Sequence, residues 1–180
     1  QVDTLLGETE QQKKVIDSLR FKNKEISNQN QNLNQENIDL NDLLDLGSSL
    51  KVSKIEIFKI KFGTHQQERI VSKAKNIQVL RSCFTISANS IATSEKKSVF
   101  IQYLDPNNNL LVSSNTPNNA SFMIGDSSIN ATVYNHFDYN NKDIDMCVDW
   151  ERGDMLESGK YTMIFFIEGK IAGEFMFELY

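Results

Sequence analysis

Apolar and polar positions in the first fifty residues follow a seven-residue period. One register runs Leu5, Gln12, Leu19, Ile26, Leu33, Leu40, Gly47, and its companion, three residues earlier, runs Val2, Thr9, Ile16, Asn23, Asn30, Asn37, Leu44. A period of 3.5 residues places these two columns on one seam of a helix and predicts a coiled coil over residues 1–46. The expected dimer core is Leu5, Ile16, Leu19, Asn23, Ile26, Asn30, Leu33, Asn37, Leu40 and Leu44. Three successive asparagines in one column favour an in-register parallel homodimer, because each bonds its own twin and is unsatisfied against an aliphatic layer. The competing expectation is a lone amphipathic helix packed on a domain. Gly47-Ser48-Ser49 follows, and residues 47–50 read as a helix stop and a short hinge.

From residue 51 the period shortens to two. Lys54 to Phe62 is rich in β-branched and aromatic residues and alternates over its second half. Further strands are expected at Ile77 to Ser87, Ser98 to Leu104, Leu110 to Ser113, Ala120 to Ile124, Ile129 to Tyr139, Asp143 to Trp150, Lys160 to Glu168 and Ile171 to Leu179. Turn chemistry separates them, as in Asp105-Pro106-Asn107-Asn108-Asn109 and Glu168-Gly169-Lys170. Eight or nine short strands without intervening helix predict an all-β immunoglobulin-like sandwich over residues 51–180, with a closed barrel as the alternative.

The alternation also assigns faces. Leu80, Phe84 and Ile86 point to the core, as do Ile144, Met146, Val148 and Trp150. Cys83 and Cys147 therefore point outward, unlike the inter-sheet bridge of antibody domains. They are expected either as free thiols or as a cross-strand disulfide, and alternation does not choose between the two.

Composition narrows the function. Two cysteines and two histidines in 180 residues are too few for the common zinc frameworks. A net charge of -5 argues against a nucleic-acid partner, whose phosphates require a basic face. No run approaches the length of a membrane span, although the chain starts at Gln1 and an upstream anchor is compatible with that start. Residues 51–81 carry eight basic and two acidic groups. Lys51, Lys54, Lys59, Lys61, Arg69, Lys73, Lys75 and Arg81 read either as a patch for an acidic partner or, more simply, as edge protection.

Asp138 to Asp145 gathers oxygen ligands without the spacing of a calcium loop, and Lys142 interrupts it. His65 and His136 lack spaced partners for a metal or a triad. Tyr134, His136, Phe137 and Tyr139 suggest an aromatic surface for sugar, although alternation sends some of them inward. Two glycosylation sequons begin at Asn119 and Asn130. None of the standard nucleotide, serine-hydrolase or zinc-protease motifs is found, so no catalytic residue, metal or cofactor is expected.

One resemblance adds to this. Leu80-Arg81-Ser82-Cys83-Phe84-Thr85, Asp145-Met146-Cys147-Val148-Asp149-Trp150, Ser158-Gly159-Lys160-Tyr161-Thr162 and Glu168-Gly169-Lys170-Ile171-Ala172-Gly173 resemble a group of Bacteroidota proteins. Those carry a long coiled coil, commonly behind a membrane anchor, and end in a β-sandwich with such a cysteine pair; many are catalogued as chromosome-partitioning proteins. The resemblance implies an envelope or coiled-coil scaffold protein; a non-enzymatic role in the periplasm or cell envelope is expected, with the cytoplasm as the alternative. The expected function is a dimeric stalk presenting β-sandwich heads to a protein partner. A glycan- or peptide-binding module on a dimerising spacer is the second expectation, and chromosome organisation the third.

Overall fold

The computed structural model describes residues 2–112 and 120–180, with side chains described from residue 11 onward. It divides into two compact units, Gln1–Leu46 and Gly47–Tyr180.

The first unit is one continuous helix, α1 (Val2–Gly47), about 70 Å long at helical rise. The expected parallel dimeric coiled coil is not what the structure shows: it shows a single long helix. Ile16, Leu19, Ile26, Leu33, Leu40 and Leu44 are exposed along it, and so are Asn23, Asn30 and Asn37. The Leu5 side chain lies outside the described residues. A seven-residue period encodes a seam but not what covers it, and here the seam is diluted twice. The asparagines interrupt it, while Val15, Phe21, Ile38, Leu43 and Leu46, all exposed, lie off both columns and spread apolar surface around the helix. The last turn has no basic residue to complement the helix dipole.

The second unit is a sandwich of two antiparallel four-stranded sheets. The first sheet has β1 (Val52–Phe62), β2 (Glu68–Ile70), β3 (Val79–Ile86) and β8 (Ile144–Glu151), in the order β2-β1-β3-β8. The second has β4 (Lys96–Leu104), β7 (Val133–Asp138), β9 (Gly159–Ile167) and β10 (Lys170–Leu179), in the order β10-β9-β4-β7. A separate hairpin of β5 (Ala120–Ile124) and β6 (Ser127–Ala131) packs on the second sheet through Phe122, which lies against Phe166 and stacks on Phe100.

The main core is built by the inward faces that alternation assigns. Phe84 meets Phe165 edge-on with centroids 4.8 Å apart, and Tyr103 packs near Trp150 at 5.7 Å. Among the described residues, the Trp150 indole nitrogen is the one buried side-chain polar atom without a hydrogen-bond partner. Ser82 is fully buried on the same face, and its hydroxyl lies 2.6 Å from that of Tyr103. Burial pushes the Tyr103 phenol well above its ordinary value, a shift that the Ser82 hydrogen bond partly offsets.

Three local features depart from simple alternation. Lys54, at φ 50°, sits in a bulge where the register passes from Ser53↔Thr85 to Glu56↔Cys83. The expected strand Ile129 to Tyr139 is divided at Thr132, whose amide donates to the Ile101 carbonyl and whose hydroxyl accepts from the Tyr103 amide. Between Leu104 and Leu110 there is only an isolated bridge in place of a strand, and Ser113 lies outside the described residues.

The segment read as a hinge is tied into the second unit. Asn89 Nδ2 donates to the carbonyls of Gly47 and Ser49, at 2.7 and 3.2 Å, while its Oδ1 accepts from the amides of Ile91 and Ala92. Leu50 is buried in the core, and the Lys51 carbonyl accepts from the Ser87 amide.

Candidate functional site

The outward face of β3 and β8 gathers the groups of greatest chemical interest. Antiparallel pairing sets residues directly opposite one another on the same side of the sheet. Arg81 thus faces Asp149, Cys83 faces Cys147 and Thr85 faces Asp145. Cys83 and Cys147 are joined by a disulfide with Cα atoms 4.0 Å apart, across 64 residues of sequence. The bridge links neighbours within one sheet and does not cross the sandwich, so the immunoglobulin-type bridge has no counterpart here.

Arg81 is the centre of an ion cluster. Its guanidinium is bidentate to Asp149, with both bonds at 2.7 Å, and bidentate to Glu68 of β2, at 2.9 and 3.0 Å. The hydrogen bonds to Asp149 and then Glu68 raise its pKa further above an already high ordinary value, so it is a permanent cation. The cluster ties the short strand β2 to the edge strand β8 across β1 and β3.

Beside the cluster lies a depression of about 470 Å³ lined by Phe58, Ile60, Arg69 and Ile70 together with Arg81 and both cysteines. Ile60 is buried on its floor, whereas Ile70 is 76% exposed. An apolar floor beside fixed charges is suited to holding a side chain of another molecule.

The other candidate residues are spread over the molecule. Lys51 and Lys59 donate to the carbonyls of Ile171 and Glu178 on β10, so these two of the eight basic residues serve the neighbouring strand. Two of the three carboxylates in the Asp138 to Asp145 segment are engaged within the domain: Asp143 accepts from the Ala88 amide, and Asp145 from the Thr85 hydroxyl. Among the described residues no three His, Cys, Asp or Glu side chains come together as a metal site. His65 is exposed in a short turn.

His136 is exposed on the outer face of β7, with Nδ1 2.7 Å from the Ser98 hydroxyl and its ring edge-on to Tyr134. Phe137 and Tyr139 are buried, so the aromatic surface is divided between two faces. Asn130 is exposed on β6, whereas Asn119 lies outside the described residues.

A group that the sequence reading missed is Lys97. Its side chain is 2% exposed and donates to Glu95 at 2.9 Å and to Glu168 at 2.5 Å. Burial works against its charge, but the bonds to Glu168 and Glu95 outweigh that and raise its pKa. The inward register of Val99 and Ile101, extended back by two, was the available signal.

Taken together, these features define an all-β sandwich domain with an extra hairpin, preceded by a long helix. The chain belongs to the family described as Domain of unknown function (DUF8428), whose model matches residues 53–180 and so covers the sandwich and not the helix. No curated protein matches it. Among solved structures, it is similar to the Pseudomonas fluorescens alkylpurine DNA glycosylase AlkC bound to DNA containing an abasic site analog, at 12% identity and a TM-score of 0.35. That match covers 77% of this chain and 33% of the glycosylase, so the chain spans about a third of its length, and at that TM-score it carries no argument about function.

Proposed function

We propose that this protein is a non-enzymatic interaction module, in which the sandwich binds a segment of a protein partner along the outer face of its first sheet. The observation that carries this reading is the depression over Phe58, Ile60 and Ile70, next to the Arg81 ion cluster. It offers an apolar contact beside a rigid charged rim, the division of labour found in protein interfaces. The disulfide supports an oxidising compartment, such as the periplasm or the cell envelope, and the resemblance of its sequence motifs to Bacteroidota envelope proteins is in keeping with that reading.

Selection from a displayed peptide library on the full chain tests it. Selected peptides should lose at least about tenfold in affinity, roughly 1.4 kcal/mol, for Ile70→Asp, because a carboxylate placed there desolvates poorly against an apolar ligand. Peptides that bind this variant as well as the parent would remove the depression as the site.

A second reading rests on Tyr134, His136 and Ser98 on the second sheet, where an aromatic edge stands beside a hydroxyl–imidazole pair. It assigns a glycan ligand there. A glycan array whose binding disappears in Tyr134→Ala but not in Ile70→Asp would favour it over the first.

A further inference from the structure

The position of the Cys83–Cys147 bridge sets it apart from a structural staple. Its two strands are already paired through eight residue pairs, from Val79↔Glu151 to Ile86↔Ile144. Their inward residues Leu80, Phe84, Val148 and Trp150 are buried in the core. The sulfurs lie on the opposite side, at the wall of the open depression. Opening the bridge therefore takes no group out of the core and leaves neither strand unpaired.

The two sulfurs are also unequal. Cys147 is exposed on β8, an edge strand whose only partner among the described strands is β3, whereas Cys83 is half-buried between β1 and β8. The acids flanking Cys147 are engaged, Asp149 with Arg81 and Asp145 with Thr85. Beside Cys83 stand Glu56, its register partner on β1, and Arg81, two residues along the same face.

We propose that this bridge is a thiol–disulfide exchange site, opened by a dithiol that attacks Cys147 while the sandwich remains folded. A thiolate of the dithiol bonds to Cys147 Sγ, the sulfur–sulfur bond breaks, and its electron pair leaves on Cys83 as a thiolate. Access sets this direction: Cys147 is the exposed sulfur on the edge strand, whereas Cys83 is half-buried and therefore the leaving group. The second thiolate of the dithiol then attacks its own sulfur in the mixed disulfide, and Cys147 leaves. The dithiol is oxidised by two electrons to its cyclic disulfide, and the bridge is reduced by two. The two protons given up by the dithiol end on Cys83 and Cys147.

The test uses the full chain without denaturant. Dithiothreitol is added, samples are quenched with N-ethylmaleimide, labels are mapped by mass spectrometry, and circular dichroism follows the sheet. Both cysteines should become labelled while the sheet signal is unchanged; labelling that appears only in urea concentrations that unfold the sheet overturns the proposal. Rapid quenching after addition of glutathione should place the adduct on Cys147, and an adduct found on Cys83 in half or more of the molecules overturns the direction of attack. Because the free sulfur can reclose the bridge, Cys83→Ser and Cys147→Ser provide an independent arm. Cys147 in the first variant should react faster with an aromatic disulfide reagent than Cys83 in the second, and the reverse order counts against the proposal.

Discussion

At the scale of single residues, the buried pair Ser82 and Tyr103 shows how a polar group is retained inside an apolar face. Each hydroxyl is the other's partner at 2.6 Å, and neither side chain has access to water. Ser82→Ala should cost about 1–3 kcal/mol in urea unfolding, because it leaves the phenol buried without its partner. Adding Tyr103→Phe should recover most of that loss, since removing both partners is far cheaper than orphaning one. A double variant no more stable than Ser82→Ala would mean that packing, not hydrogen bonding, sets the cost. Ser82 lies on the face that alternation assigns inward, yet its type gives no hint of burial. Its partner comes from the facing sheet, and a one-strand pattern carries no such information.

At the scale of elements, strand positions were largely legible because alternation and turn residues are local. What escaped reading was set by other elements. Strand β2 is three residues long and exposed, too short to alternate. The break at Thr132 exists because β4 captures that residue, and the pairing of Cys83 with Cys147 depends on the register between β3 and β8. The helix illustrates the converse, a strong local period whose covering surface local sequence does not specify.

Two elements invite direct tests. Gly169, at φ +74° in the β9–β10 turn, would place an added Cβ 3.0 Å from the Met123 carbonyl oxygen. Gly169→Ala should therefore destabilise by roughly 1–2 kcal/mol, from positive φ and the close approach together. The hairpin β5–β6 is held by its own small core of Ala120, Phe122, Ala131 and Phe166. Phe122→Ala should cost about 3 kcal/mol and loosen this hairpin first, visible as faster amide exchange in residues 120–131 than in β3.

At the scale of the whole molecule, the anchoring of residues 47–51 by Asn89 and Leu50 places the start of the folding unit before the first strand. Residues 47–180 should unfold cooperatively and at a higher urea midpoint than residues 53–180, which lack Leu50 and the carbonyls that Asn89 serves. Equal midpoints would show that the anchor contributes nothing.

The pH dependence follows from groups shifted in opposite directions. Hydrogen bonds from Thr93 and then Lys97 lower the pKa of Glu95 below its ordinary 4.5, and Asn109 lowers that of Asp105 below 3.8. A carboxylate with a depressed folded value stabilises above its unfolded value, and that contribution is lost as pH falls through the folded one. Tyr103 and Lys97 are raised above 10.0 and 10.5, so their contribution is complete below those values and is lost as pH rises beyond them. The urea midpoint should thus be flat through neutrality, fall below about pH 4 and fall again above about pH 10. An acid limb that began near pH 6 would point to groups other than these carboxylates.

The lone indole of Trp150 has an optical consequence. It sits in the core of the second unit, and all five tyrosines of the chain, from Tyr103 to Tyr180, lie in that unit as well. The helix contains neither residue type, so near 280 nm it neither absorbs appreciably nor emits. Its forty-six residues instead dominate ellipticity at 222 nm, where antiparallel strands contribute weakly. Emission and ellipticity recorded on one sample therefore report on different units of the same chain, and melting of the helix can be followed apart from that of the sandwich without any label.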